Sequence, residues 1–284
     1  MIIVTGGTGR IGSHVVRGLL AQGRPTRVLA RRPDAARAQL PDGTEVVEAD
    51  LDRPETLDAA MAGASSLFLL TTQSPRQAGQ ERAALDAAAR AGVGHVVKVS
   101  ASDAATGPDS PTPVGRAHAA SEAALKATGM AWTILRPSAF MQVALTPLLE
   151  QARTTGRLQF PIGSARVAFV DVADIARAGV WALTHRTQAA GRTLSVTGPE
   201  ALGLLDLADR FTARPSRPVA AASPPAWLAA LVLARRIRDP FLRRHQLALL
   251  GLMRKGELAT VSRDLEDATG SPGRTVAAWL KDIA

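Results

Sequence analysis

The chain has 284 residues and carries 34 basic and 25 acidic side chains, a formal net charge of +9. It contains no cysteine and no tyrosine, which excludes disulfides, thiolate nucleophiles, thiolate metal ligands and any mechanism with a phenol as proton donor. Hydrophobic residues at 46% and charged residues at 21% are those of a globular chain long enough to bury a core without crosslinks.

All but four of the basic residues are arginine, a bias that fits a GC-rich bacterial genome. Most of the positive excess falls after residue 136. A solvated, arginine-biased surface accounts for it, and attraction of an anionic partner is the sharper alternative.

Short, mostly apolar runs read as strands buried on both faces. They lie at Ile2–Thr5, Thr26–Ala30, Thr44–Glu48, Ser66–Thr71, His95–Ser100 and Ala131–Arg136. Helical patterns alternate with them. One opens just after residue 9 with Ile11, Val15, Val16, Leu19 and Leu20 on one face, and others cover about Pro54–Met61, Arg76–Ala91 and Gly115–Thr128. Gly23, Gly63, Gly92 and Gly129 follow these helices, where left-handed caps are expected. Such alternation predicts an α/β fold, a doubly wound parallel sheet with right-handed crossovers. Beyond residue 154 the pattern is less regular. A short strand is expected at Val167–Phe169, a helix at Asp171–Thr184, a strand at Thr193–Val196 and a helix at Leu202–Thr212. Pro215–Pro225, with four prolines in eleven residues, reads as a loop around a short strand at Val219–Ala221. Helices follow at Pro225–Arg236, Pro240–Lys255 and Arg274–Ile283.

Thr5-Gly6-Gly7-Thr8-Gly9-Arg10-Ile11-Gly12 joins the first strand to the first helix. In that context Gly6 permits the tight turn, Gly9 the approach of a pyrophosphate, and Gly12 close helix–strand packing. The helix N-terminus then offers its N–H groups and dipole to the phosphates. Thr8, Arg10 and Ile11 complete the loop. At the end of the second strand an NAD site has an acid for the ribose hydroxyls. Here stand Arg31 and Arg32, which suit a 2′-phosphate, while Asp34 lies beyond Pro33 in the following turn. NADP(H) is therefore expected over NAD(H). Residues 1–154 read as a Rossmann-type NADP-binding domain. Residues 155–284 read as a smaller, mostly helical substrate-binding lobe, interleaved with the sheet and not independent.

The chain resembles the NmrA-like branch of the atypical short-chain dehydrogenases/reductases along nearly its whole length. The resemblance rests on TGGTGRIG with RVLARRP, on Glu48-Ala49-Asp50-Leu51-Asp52, and on His118 and Glu122 ahead of Trp132-Thr133-Ile134-Leu135-Arg136-Pro137-Ser138-Ala139-Phe140-Met141. Phe169-Val170-Asp171-Val172-Ala173-Asp174-Ile175-Ala176 and Leu194-Ser195-Val196-Thr197-Gly198-Pro199-Glu200 complete it. It implies that Asp50 and Leu51 contact adenine and that Thr71 and Thr72 lie beside the nicotinamide ribose. It implies further that Ser100 occupies the position of the catalytic serine, and that Pro137 to Phe140 line the nicotinamide.

Typical short-chain dehydrogenases carry Tyr with Lys four residues later. Here the corresponding helix reads Gly115-Arg116-Ala117-His118-Ala119-Ala120-Ser121-Glu122, and Lys126 lies a turn further on. His118 is the first candidate for general acid, with a structural helix histidine bonded to Glu122 or the backbone as the plain alternative. Ser100 and Ser102 are weaker candidates, since a lone hydroxyl is a poor acid. A third option is an acceptor whose reduced anion is protonated by water. Glu122 is read as fixing the loop before Arg136, and Asp171 and Asp174 as helix-start residues. Phe140, Met141, Phe160, Phe169 and Trp227 form either a pocket wall or ordinary core.

No His, Asp and Glu cluster has metal-ligand spacing, so no metal is expected. The stretch Arg235 to Arg244 holds five arginines without an accompanying nucleic-acid motif, so a nucleic-acid partner is not expected. The longest apolar run, Ala226–Ala234, is far short of the roughly 20 residues a spanning helix needs. The N-terminus does not read as a signal peptide. A cytoplasmic protein without a membrane partner, monomer or homodimer, is the expectation. The function expected is hydride transfer from NADPH to a small aromatic, quinone-like or enone substrate. The alternatives are a non-catalytic NADP(H) sensor and a biosynthetic enzyme that uses the fold for a non-redox step.

Overall fold

The computed structural model describes residues 1–212 and 218–283. Among the described residues nine strands form, in chain order: β1 (Ile2–Thr5), β2 (Thr26–Ala30), β3 (Glu45–Glu48), β4 (Ser66–Leu69), β5 (His95–Val99), β6 (Ala131–Pro137), β7 (Arg157–Gln159), β8 (Arg192–Val196) and β9 (Ala220–Ala222). Seven make one parallel sheet in the order β3-β2-β1-β4-β5-β6-β8. Every strand therefore ends on the same edge, and the order reverses between β1 and β4. Ligands of open α/β sheets bind at such a switch point. Thr5 ties the two strand ends together, its Oγ1 accepting from Leu70 N at 2.8 Å and reaching the Leu70 carbonyl at 2.8 Å.

Helices cover both faces of the sheet. On one, Gly12–Ala21 packs its Val15, Val16 and Leu19 with Val172, Ile175 and Leu183 of the helix Val172–Thr184. The other face carries Leu57–Met61, Gln77–Arg90 and Pro113–Lys126, with Leu57, Met61, Leu85 and Leu125 fully buried. Gly23, Gly63, Gly92 and Gly129 all have positive φ, 65 to 76°, as their places after helices require.

A third apolar cluster lies over the C-terminal edge of the sheet and draws on Leu149, Phe160, Phe211, Leu252 and Trp279. Beside it β7 and β9 pair in a small parallel sheet. β8, from the chain's second half, extends the main sheet by pairing with β6.

Several elements differ from expectation. Val167–Phe169 forms no strand; Val167 and Val170 make only isolated bridges, to Leu202 and Phe140. The helices Thr146–Thr155 and Asp264–Thr269 have no strong pattern in sequence. The expected loop Pro215–Pro225 falls partly outside the described residues, and its strand is seen at Ala220–Ala222.

Gly179 shows how tightly the first face is packed. A Cβ there would meet the Phe68 ring at 2.6 Å, and Phe68 has no exposed surface. On an open helix face Gly→Ala gains up to ~1 kcal/mol of propensity. Here overpacking reverses the sign, and we expect Gly179→Ala to destabilise by about 1–3 kcal/mol in urea unfolding.

Candidate cofactor and substrate cleft

A single cleft of about 1660 Å³ runs along the sheet's C-terminal edge, from the loop after β1 to Leu258. At one end the glycine loop shapes its floor. Gly6 has φ +64°, and its carbonyl accepts from Gly9 N at 2.9 Å. A Cβ on Gly12 would lie 2.1 Å from that same carbonyl oxygen, so the loop can close only over a glycine. No side chain caps the helix that follows, and no acid stands in its first turn. That terminus therefore keeps its positive end for an anion. The arrangement fits a pyrophosphate, with Thr8, Gly9, Arg10 and Ile11 also bordering the cleft. Gly7 was not singled out in sequence, yet a Cβ there would meet Val28 at 2.7 Å.

Arg31 and Arg32 follow β2, are exposed, border the cleft and form no ion pair among the described residues. Asp34 is fully exposed, pairs with Arg37 at 2.7 Å and does not border the cleft. Asp50 and Leu51 line it after β3, and Thr71 and Thr72 after β4. Pro137 and Phe140 close it at the end of β6, where Phe140 bridges Val170.

Beneath the cleft's middle lies a cluster that sequence reasoning missed. Lys98 sits in β5 with no exposed surface. Its Nζ is 2.6 Å from Glu81 Oε2, and Glu81, on the helix Gln77–Arg90, is equally buried. Glu81 Oε1 also accepts from Thr71 Oγ1 at 2.6 Å and from Gln77 Nε2 at 3.2 Å. Burial pushes the Glu81 carboxyl up, but the Lys98 charge and His118 outweigh it and hold it below the usual range. The only sequence signals were a lysine inside an apolar run and an acid four residues after Gln77.

His118 borders the cleft at 7% exposure. It does not bond Glu122, the plain alternative considered from sequence. Its Nδ1 is 3.1 Å from Lys98 Nζ, and Gln77 Nε2 lies 3.2 and 3.1 Å from its two ring nitrogens. Burial, reinforced by the Lys98 charge against Glu81, lowers its pKa to about 3. The ring is neutral near pH 7.

Ser100 follows β5 and also borders the cleft, but its Oγ donates to Glu122 Oε1 at 2.6 Å. Glu122 in turn accepts from Arg136 at 3.1 and 2.6 Å. Glu122 thus holds Arg136 itself, and Ser100 stands in that clasp with its proton committed. Ser102 borders the cleft half-buried. Lys126 is exposed over the Trp132 ring at 4.8 Å.

The far end of the cleft is apolar. Phe140 and Phe160 line it with Leu249, Leu250, Met253 and Leu258. Of the other wall candidates, Met141 and Phe169 are core residues, and Trp227 is 68% exposed and off the cleft. His245, which carried no sequence signal, borders the cleft at 4% exposure with an unpartnered Nδ1. Asp171 caps its helix through Ala173 N at 2.9 Å, and Asp174 accepts from Arg274 N at 2.6 Å and Arg177 at 2.9 Å; both are structural. No group of acids and histidines among the described residues could hold a metal, and no described helix is long and apolar enough to cross a membrane.

The buried imidazoles make stability pH-dependent. His118 takes up a proton near pH 6.5 when unfolded but only near pH 3 when folded. The unfolded chain therefore binds more protons between those values. Stability is full above about pH 6.5 and is lost as pH falls. His95, lowered to about 4 by burial and then by Arg186, acts in the same direction. In urea titrations between pH 6 and 4, His118→Gln should make the slope shallower by ~1.4 kcal/mol per pH unit. An unchanged slope would mean that His118 is charged in the folded protein.

Comparison with known proteins agrees with this geometry. Residues 6–185 match a protein family described as NAD(P)H-binding. An NAD(P)H azoreductase from Xenophilus azovorans is 35% identical over 99% of this chain and 97% of its own length. A (4-alkanoyl-5-oxo-2,5-dihydrofuran-3-yl)methyl phosphate reductase from Streptomyces griseus is 34% identical, over 100% and 98%. The crystal structure of an NADPH-dependent quinone oxidoreductase from Escherichia coli, complexed with NADPH, superposes with a TM-score of 0.89 at 25% identity, covering 100% of this chain and 99% of that one. By sequence and by fold, the chain belongs to the NAD(P)H-binding family, in its NmrA-like branch of atypical short-chain reductases.

Proposed function

We propose that the protein is an NADPH-dependent reductase that passes hydride to a small aromatic, quinone-like or enone acceptor. The observation that carries this reading is one continuous cleft, whose one end suits a dinucleotide and whose other end is apolar. Relatives named for azo, dihydrofuranone and quinone reduction support it. NADPH supplies the hydride. The protein supplies alignment, which can account for much of the acceleration by holding donor and acceptor in register.

In this reading Gly6, Thr8, Gly9, Arg10, Ile11 and Gly12 cradle the pyrophosphate. Arg31 and Arg32 face the 2′-phosphate, Asp50 and Leu51 the adenine, and Thr71, Thr72, Pro137 and Phe140 the nicotinamide side. Ser100 positions Glu122 and Arg136 and gives no proton. Residues 1–154 form the cofactor half and 155–284 the substrate lobe, and the working unit is a monomer or homodimer.

The preference for NADP(H) rests on two exposed guanidiniums without ion-pair partners among the described residues, at the point where an NAD site carries an acid. We expect Arg31→Asp to weaken NADPH binding about tenfold or more, the loss of one charge-assisted contact, and to leave NADH binding within about threefold. Fluorescence titration with both cofactors measures this, and an unchanged ratio would remove Arg31 from the 2′-phosphate site. Turnover itself is tested by NADPH consumption with azo, quinone and enone acceptors. Micromolar cofactor binding with no turnover across that panel would sink the reductase reading.

A further inference from the structure

We propose that Lys98 and His118 form a proton relay that replaces the missing phenol, with His118 Nε2 as the donor to the reduced substrate and Lys98 as the source behind it. This deepens the reductase reading and rests on it.

The hydrogens around Lys98 and His118 allow two arrangements. The Lys98 ammonium is hydrogen-bonded to the Val99 carbonyl at 3.2 Å and to His118 Nδ1 at 3.1 Å, and Glu81 Oε2 stands 2.6 Å away as its ion-pair partner. A neutral imidazole has one lone pair and one N–H. While Lys98 is charged, Nδ1 must accept from it, so the proton sits on Nε2. If Lys98 is neutral, the other tautomer fits as well. Nδ1–H then donates to the amine, and Nε2 accepts from Gln77 Nε2 at 3.1 Å. Each tautomer of His118 thus matches one protonation state of Lys98: in the first, Gln77 Nε2 donates to Nδ1 at 3.2 Å and no acceptor among the described residues takes the Nε2–H, and in the second both ring nitrogens have protein partners.

Those two states are the beginning and end of one proton transfer. Hydride addition to a neutral C=C, C=O or N=N acceptor leaves an anion. The Nε2–H bond breaks toward that anion while a Lys98 proton forms the Nδ1–H bond. The imidazole carries no net charge before or after the transfer, which a ring held to a pKa of about 3 can tolerate. Lys98 is left as a neutral amine. A solvent proton entering at Nε2 returns the Nδ1 proton to Lys98 and resets the pair. Glu81 is a positioning residue, fixed by Thr71 and Gln77 so that Lys98 remains aimed at Nδ1. His245, whose pKa burial also lowers, borders the same cleft.

Two measurements test the relay. The first needs no cofactor: ¹⁵N NMR of histidine-labelled protein near pH 7. We expect the Nε2–H tautomer of His118 in the native chain and the Nδ1–H tautomer in Lys98→Met, where Gln77 captures Nε2. If Lys98→Met does not fold, the double variant Lys98→Met, Glu81→Gln leaves no lone buried charge. The Nδ1–H tautomer in the native protein, or no change on losing Lys98, would overturn the proposal.

The second compares acceptor classes. A neutral enone or azo compound needs a proton after hydride, whereas a cationic triarylmethane dye is neutralised by hydride alone. His118→Ala should lower kcat for the neutral acceptor by about 10²-fold or more and change it for the dye by less than about threefold. Added imidazole should restore the neutral-acceptor rate. Equal losses on both acceptors, or no loss on the neutral one, would show a structural role only. If the native protein oxidises NADPH with neither class, the reductase reading falls and takes the donor role with it. The NMR result stands apart from that outcome.

Discussion

A charged amine in the middle of a parallel sheet is a demand that the rest of the fold must meet. Lys98 lies in β5, between β4 and β6, with none of its side chain exposed. An isolated ammonium there costs several kcal/mol, and only a partner of opposite charge at hydrogen-bond distance repays it. Glu81 is that partner, and it comes from the helix Gln77–Arg90. Satisfying its second oxygen brings in Thr71 from the end of β4 and Gln77 from the turn before. The switch point of the sheet is thereby tied to two of the helices that cover one face. Removing either member of the pair would leave the other charged and dry.

A second polar clasp stands one strand-end away. Glu122 gathers Ser100 from the end of β5 and Arg136 from β6, and Arg136 reaches on to Asp103 at 2.9 Å. Asp103 also meets Ser195 of β8. Side chains from the ends of β5 and β6, from β8 and from the helix Pro113–Lys126 are thus laced together beside the cleft. This leaves little hydroxyl chemistry free at Ser100 and concentrates what can move a proton in the imidazole beside it.

Much of this was legible in sequence. The glycine loop declared itself because its spacing is dictated by backbone approach, and Gly12 has no room for a single added carbon. The strands were visible as apolar runs, and helix ends as glycines. What stayed hidden depended on tertiary partners. His118 and Glu122, four apart on one helix, invited a local pairing worth only ~0.2–0.5 kcal/mol. Each has a stronger partner across the fold, so the pair never forms. Lys98 read as a strand residue and Glu81 as one more helix charge, because no local pattern announces a pair 17 positions apart in sequence. Trp227 shows the reverse error: an aromatic in an apolar run suggested a wall but faces solvent.

One packing relationship bears on how the chain is made. The face of the first helix that holds Val15, Val16 and Leu19 is covered by Val172 to Leu183. A ribosome delivers the glycine loop and the first six strands long before that cover emerges. The nascent chain therefore carries the frame of its nucleotide site while half of its sheet still lacks a partner. During that interval the exposed apolar layer is a surface for chaperones or for its own kind. Synthesis past residue 184, rather than completion of the glycine loop, is the moment at which the apolar face of that first helix gains its cover.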